Sequence, residues 1–255
     1  MKTLTLYQQR DSLVHKVDPI SKLYYIAAAI LIPIILPNMS ITLTCMLVSI
    51  GLLLLGKVFK KVIPLVSFSF IVLLSIIIIQ GLFNKTNKTA FLTLGSITFY
   101  KEGLFYAFKI CMRVINIICA FSILILTTKP SDLIEELVRK GLSPKIGYVL
   151  SSVLQIIPQM VSTMDTITDA QRSRGMETEG KLFVRMKAFL PLIGPVVMNS
   201  LISTRERAMA LEVRGFNSKV KKSFLNDEFK FKHGLLIRAV IIALIAAAIL
   251  WRIIA

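Results

Sequence analysis

The sequence predicts an all-α membrane protein with about five transmembrane helices, plus a polar section holding two long, proline-bent helices that each end in Arg-Gly. Three observations predict it. The mean hydropathy is +0.73 and 55% of residues are hydrophobic, more apolar surface than a soluble domain of 255 residues needs. Several apolar runs approach or exceed the ~17–20 residues that cross a bilayer. Lys and Arg are concentrated on one side of those runs.

Residues 1–19 form a polar lead ending in the turn signal Asp18-Pro19, with Asp18 placed to cap the first apolar helix. Leu23 to Leu36 and Ile41 to Leu55 are short apolar arms of a transmembrane hairpin turned at Asn38-Met39-Ser40. Lys57, Lys60 and Lys61 mark an inside loop. Val62 to Phe83 is a third span, Asn84 to Gly103 an outside loop, and Leu104 to Leu126 a fourth span. That span carries Lys109, Arg113 and Asn116. Each charge there costs ~2.5–3.5 kcal/mol on insertion scales, so these groups must face protein or water, or snorkel. Leu235 to Ile254, with Trp251 and Arg252 at its far interface, is the last span.

Between the fourth and last spans lies the polar section, with roughly half of the chain's Lys and Arg. A short helix, Leu133 to Lys140, has Glu135 and Glu136 early, Arg139 and Lys140 late, and stops at Gly141. Ser143-Pro144 opens a run to Arg174 of ~30 residues, or ~45 Å as helix, apolar before Pro158 and polar after it. Leu182 to Arg214 repeats the plan, with Pro191, Gly194 and Pro195 as bend points. Both are expected to lie at or dip into the membrane surface. The segmentation is therefore four spans in 1–127, the polar section in 128–234, and one span in 235–255. The charge asymmetry puts the N-terminus and the polar section in the cytoplasm and the C-terminus outside.

The net charge of +17 could suit nucleic acid, but the positive-inside bias and anionic lipid explain it more cheaply, so no nucleic-acid partner is expected. Cys45, Cys111 and Cys119 lie in apolar runs and read as small buried hydrophobes. No metal-ligand spacing and no nucleophile constellation is present, so no catalytic residue, metal or cofactor is expected in the chain. The P-loop-like Gly51 to Val58 lacks the hydroxyl residue after Lys57 and lies in a span. Asn84 and Asn87 open glycosylation sequons, a pattern common by chance. Asp165 and Asp169 beside Arg172 and Arg174 read as a local ion-pair set.

The sharpest feature is Ser173-Arg174-Gly175 and its echo Val213-Arg214-Gly215, each followed by an apolar residue expected to be exposed, Met176 or Phe216. Capping accounts for one such pair, because Arg suits a last helical turn and Gly a left-handed C′ position. Two pairs, each closing a long helix, also suit docking: a guanidinium fork on a rigid tip can engage a carboxylate or backbone carbonyls of another protein. The two roles are compatible. A stand-alone permease using Lys109, Arg113 and Asn116 as a pathway is the alternative.

These residues resemble the transmembrane T component of bacterial energy-coupling factor transporters, which includes cobalt and nickel uptake subunits. The resemblance rests on the two X-Arg-Gly motifs, on Val17-Asp18-Pro19-Ile20-Ser21-Lys22-Leu23 before the first span, and on Lys129-Pro130-Ser131-Asp132-Leu133 after the fourth. Ser173 and Val213 stand where Ala is more usual. The resemblance implies a multi-pass subunit of the bacterial cell membrane. It implies two ABC-type ATPase subunits, which carry the ATP and Mg, docking at Arg174-Gly175 and Arg214-Gly215. It also implies a small membrane S component that binds a vitamin or metal ion and rests on the long helices. Pro158, Pro191, Gly194 and Pro195 would then carry motion from the tips to that subunit.

Overall fold

The computed structural model describes residues 7–8, 10, 12–84, 89–94, 97–175, 182–218, 224 and 234–254, with side chains over the same residues except 90–98 and 182–191. The described elements, in order, are helices α1 (Leu13–Lys16), α2 (Pro19–Ile35), α3 (Met39–Leu55) and α4 (Phe59–Phe83), strands β1 (Ala90–Leu94) and β2 (Ile97–Tyr100), and helices α5 (Lys101–Thr127), α6 (Pro130–Arg139), α7 (Pro144–Ser173), α8 (Leu182–Val213) and α9 (Gly234–Ile254). The chain divides into two compact units. One comprises Thr5–Leu137 with Asp227–Ala255; the other is built on Val138–Asn226.

In the first unit α5 is the central helix, packed against α2, α3 and α4, while α9 packs on α2. Its buried face is rich in small residues (Gly103, Ala107, Cys111, Cys119, Ala120), which lets neighbouring helix backbones approach closely. Cys111 and Cys119 are buried there as free thiols and Cys45 is half-buried. Val14, Leu53, Val58, Val62, Cys119, Ile123 and Leu126 form one apolar cluster joining α1, α3, α4 and α5. Among the described residues four helices are long and apolar enough to cross a membrane: α4, α5, α7 and α9. Helices α2 and α3, at 17 residues each, span ~25 Å against the ~30 Å of a hydrocarbon core. Inclusion of α7 extends the sequence reading, in which it lies at or dips into the membrane surface. Its apolar first half carries the average, and at 1.2 its mean hydropathy is well below the 2.3–2.9 of the other three.

The sequence reading of 84–103 as a plain loop misses a hairpin. β1 and β2 pair antiparallel, with Thr93 opposite Thr98 and Leu94 opposite Ile97. Glu102, in the first turn of α5, closes its base by accepting from the Thr89 hydroxyl at 2.6 Å and the Thr89 N–H at 3.2 Å. Lys85, Thr86, Asn87 and Lys88 of the two sequons lie outside the described residues.

The polar residues of α5 have a structural task. Pro33 lies inside α2 and has no N–H, so the carbonyl of Ala29 loses its helical partner. Pro37 leaves the carbonyl of Pro33 in the same position one turn later. Both are satisfied from α5: Asn116 Nδ2 donates to Ala29 O at 2.7 Å, and Arg113 Nη2 donates to Pro33 O at 2.6 Å. Asn116 is fully buried and its Oδ1 accepts from Ser49 Oγ at 2.7 Å, with the Tyr25 hydroxyl 2.6 Å from the same Ser49 oxygen. Arg113 and Asn116 therefore clamp α2; Lys109 is half-buried on the same helix.

The segment around Asp18 is a second clamp. Asp18 caps α2 by accepting from Ser21 N–H at 3.1 Å and pairs with Arg238 Nη2 of α9 at 3.0 Å. Buried Lys22 donates to Thr127 O at 3.1 Å and Thr128 Oγ1 at 3.0 Å, satisfying the C-terminal end of α5. A Cβ on Gly234 would come within 2.9 Å of Asp18 Oδ1. Gly234→Ala is expected to displace that carboxylate and destabilise the protein by ~1–3 kcal/mol, read as a lower unfolding midpoint in detergent.

The P-loop-like stretch is a helix end. Lys57 N–H donates to Leu54 O and Val58 N–H to Leu53 O, a Schellman closure with Lys57 at φ +55°. A left-handed lysine is strained, so Lys57→Gly should stabilise by ~1 kcal/mol in the same measurement.

Candidate coupling site

The second unit is an antiparallel pair. α7 has 30 residues and runs unbroken through Pro158; α8 has 32 and runs unbroken through Pro191, Gly194 and Pro195. Tyr148 near the start of α7 meets Phe216 just past the end of α8, with ring centroids 5.3 Å apart. Further along, Arg207 of α8 donates to Gln159 Oε1 of α7. A shallow cleft between them is lined by small and polar residues, among them Thr163, Ser200 and Ser203. These pairings keep one running antiparallel register.

Both Arg-Gly pairs occupy equivalent positions. Arg174 is the C-cap of α7 and Gly175, at φ +86°, is C′; its N–H donates to Arg172 O at 2.9 Å. In α8, Gly215 at φ +68° donates to Glu212 O at 2.9 Å and Phe216 N–H to Leu211 O at 3.0 Å, a complete Schellman motif with Arg214 at the cap. Neither glycine has any atom within 4 Å of where a Cβ would stand, so backbone conformation and not crowding demands glycine.

Ser173, Arg174, Val213 and Arg214 are exposed, Val213 at 89%. Among the described residues neither the Arg174 nor the Arg214 guanidinium has a hydrogen bond or ion pair, so capping is done by the backbone and the forks are free. Ser173 Oγ turns inward to Asp169 O at 3.1 Å. Of the expected ion-pair set, Arg172 stands 3.8 Å from Asp169, an exposed i,i+3 pair of little energetic weight.

The fold does not bring the two motifs together. Phe216 marks one end at Tyr148, and Arg174 lies about 26 residues further along α7, so the tips are roughly 40 Å apart. Pro158 and Pro195 are exposed, each on the apolar side of its own tip, and they do not meet. Gly194 stands in open space. Phe216, read from sequence as an exposed apolar residue, is half-buried on Tyr148; Met176 lies outside the described residues. The Tyr148–Phe216 and Gln159–Arg207 pairs are the site's unforeseen members. The one sequence signal for the first is that Phe216 sits at C″, where Schellman ends make an apolar contact.

An apolar stripe remains uncovered on α7, through Ile146, Val149, Leu150, Val153 and Ile157, all more than 40% exposed. α8 carries another through Ile193, Val197, Leu201 and Ile202. Helices with such faces, alongside the apolar helices of the first unit, define a polytopic helical membrane protein. A family model described as cobalt transport protein (CbiQ) matches residues 10–224. The energy-coupling factor transporter transmembrane protein EcfT of Brevibacillus brevis is 30% identical over 262 residues, covering 96% of both chains. EcfT of Lactococcus lactis subsp. cremoris is 29% identical with the same coverage, and EcfT of Bacillus subtilis is 29% identical over 82% of this chain and 83% of its own. The chain belongs to the cobalt transport protein family, as a transmembrane T component of the energy-coupling factor type.

Proposed function

We propose that this chain couples ATP hydrolysis by two ABC-type ATPase subunits to uptake of a vitamin or metal ion, which a separate small membrane S component binds. The chain itself is non-catalytic; ATP and Mg reside on the ATPases. One tip, Ser173-Arg174-Gly175, enters a groove of one ATPase, and the other, Val213-Arg214-Gly215, enters the second. The observation that carries this reading is the pair of equivalent helix ends whose guanidinium forks are exposed and unpartnered among the described residues. Their separation suits one tip for each of two subunits. The uncovered apolar stripes of α7 and α8 suit the S component and lipid. Pro158, between stripe and tip, Gly194 and Pro195, within the stripe, and Pro191, just before it, are the places where a tip's displacement bends into the membrane half. The N-terminus and the tips face the cytoplasm and the C-terminus faces outside, in keeping with the lysine distribution.

The test is affinity purification of the tagged chain from its own membranes. ATP-binding subunits and a small membrane protein should accompany it in stable proportion. Solute uptake by liposomes holding the purified chain alone would overturn the proposal.

A further inference from the structure

Two cavities of opposite character adjoin in the first unit. One, of about 220 Å³, is polar and lined by Tyr7, His15, Lys22, Thr128, Lys129 and Asp132. The other, of about 290 Å³, is almost wholly apolar, with Leu13, Val14, Tyr25, Leu52, Ile123 and Ile241 on its walls. Val17 and Lys22 line both, so the two cavities adjoin across these side chains as an amphipathic crevice, with the Lys22 ammonium on its polar side.

The polar half has the charge of a cation. Lys22 commits two of its three N–H donors to Thr127 O and Thr128 Oγ1, leaving the third. Lys129 is exposed, its ammonium 5.6 Å from the Tyr7 ring. His15 bridges Ser12 Oγ, 2.6 Å from its Nδ1, and Gln8 O, to which its Nε2–H donates at 2.9 Å. Among the described residues two lysines face Asp132, and Asp18, the other carboxylate near Lys22, is offset by Arg238 at 3.0 Å, so positive charge is in excess, as suits one phosphodiester.

The surroundings fix the level. α1, the end of α3 and the end of α5 share one apolar cluster, and Arg10 Nη1 donates to Lys57 O at 2.6 Å, tying the lead to the basic α3–α4 turn. Lys57, Lys60 and Lys61 of that turn mark a membrane–water interface. Leu13, 72% exposed on α1, stands at the rim of the apolar half.

We propose that this crevice binds one anionic phospholipid, its phosphodiester at Lys22 and Lys129 and the upper part of an acyl chain between α1, α2, α3 and α9. A zwitterionic lipid places a second cation beside the phosphate and is disfavoured by the same lysines.

Native mass spectrometry of the purified full chain, titrated with phosphatidylglycerol, phosphatidylcholine or inorganic phosphate, tests this. Phosphatidylglycerol should be retained at least about fivefold more than phosphatidylcholine. Val17→Phe, which plugs the junction, should abolish retention, and exposed Lys129→Gln should remove the preference for the anionic lipid without altering the unfolding midpoint. Lys60→Gln, outside the crevice, should change neither. Equal retention of both lipids by the unaltered chain, or a preference that survives Lys129→Gln, overturns the proposal. So does displacement of lipid by inorganic phosphate, which would make the polar half a free-phosphate site.

Discussion

A chain carrying both Arg174→Ala and Arg214→Ala is expected to fold and insert normally yet lose ATPase association by at least about a hundredfold, with uptake falling in step. The magnitude comes from the chemistry. A charge-assisted hydrogen bond contributes ~1.5–3 kcal/mol, and each fork can make two. The folded chain itself should be indifferent, because both side chains are exposed and have no partner among the described residues; such substitutions stay within ~0.5 kcal/mol. Arg→Lys at either tip should recover only part of the loss, since an ammonium cannot reproduce the planar fork. Gly175→Ala and Gly215→Ala separate docking from capping. They leave the guanidinium in place but strain a backbone at φ +86° or +68°, so stability drops by ~1 kcal/mol. Co-purification and unfolding midpoints of the variants give both readings. ATPase association that survives loss of both arginines would leave the tips without a docking role.

Asn116→Leu is expected to lower the stability of the membrane part by about 2 kcal/mol. It strands the Ala29 carbonyl and takes one partner from the buried Ser49 hydroxyl, which keeps the Tyr25 hydroxyl and Cys45 O. Each hydrogen bond between membrane helices contributes modestly, ~0.6 kcal/mol on average, but the cost of an unmet buried group adds to it. The clamp makes a sharper demand. Pro33→Ala restores an N–H that can serve Ala29 O from within α2. In a double-mutant cycle Pro33→Ala should therefore rescue part of the Asn116→Leu loss. Strictly additive unfolding shifts would show that the proline and the asparagine are not partners.

What could be read from the residues alone divides along the range of the interaction. The Arg-Gly ends were legible because a Schellman closure is local: helix, cap and left-handed glycine are neighbours in the chain. So was the start of α2, though Asp18 carries it to Pro19, four residues earlier than the apolar run suggests. Arg113 and Asn116 were visible as anomalies in a span. Their purpose was not, because it depends on carbonyls freed by Pro33 and Pro37 at matching depth on another helix. Phe216 was misjudged for the same reason, its partner Tyr148 lying far back in the chain. The β-hairpin was missed although its signal was present: Ala90–Leu94 and Ile97–Tyr100 are rich in Thr and aromatic residues and flank Gly95-Ser96.

An antiparallel pair of helices has a local dyad perpendicular to its axes. α7 and α8 are such a pair, and the operation that exchanges them carries one capped arginine onto the other. A motor built as a twofold dimer would therefore meet the same epitope twice on a single asymmetric polypeptide. Symmetry would be matched at the two contacts alone, leaving every other part of the chain free to differ.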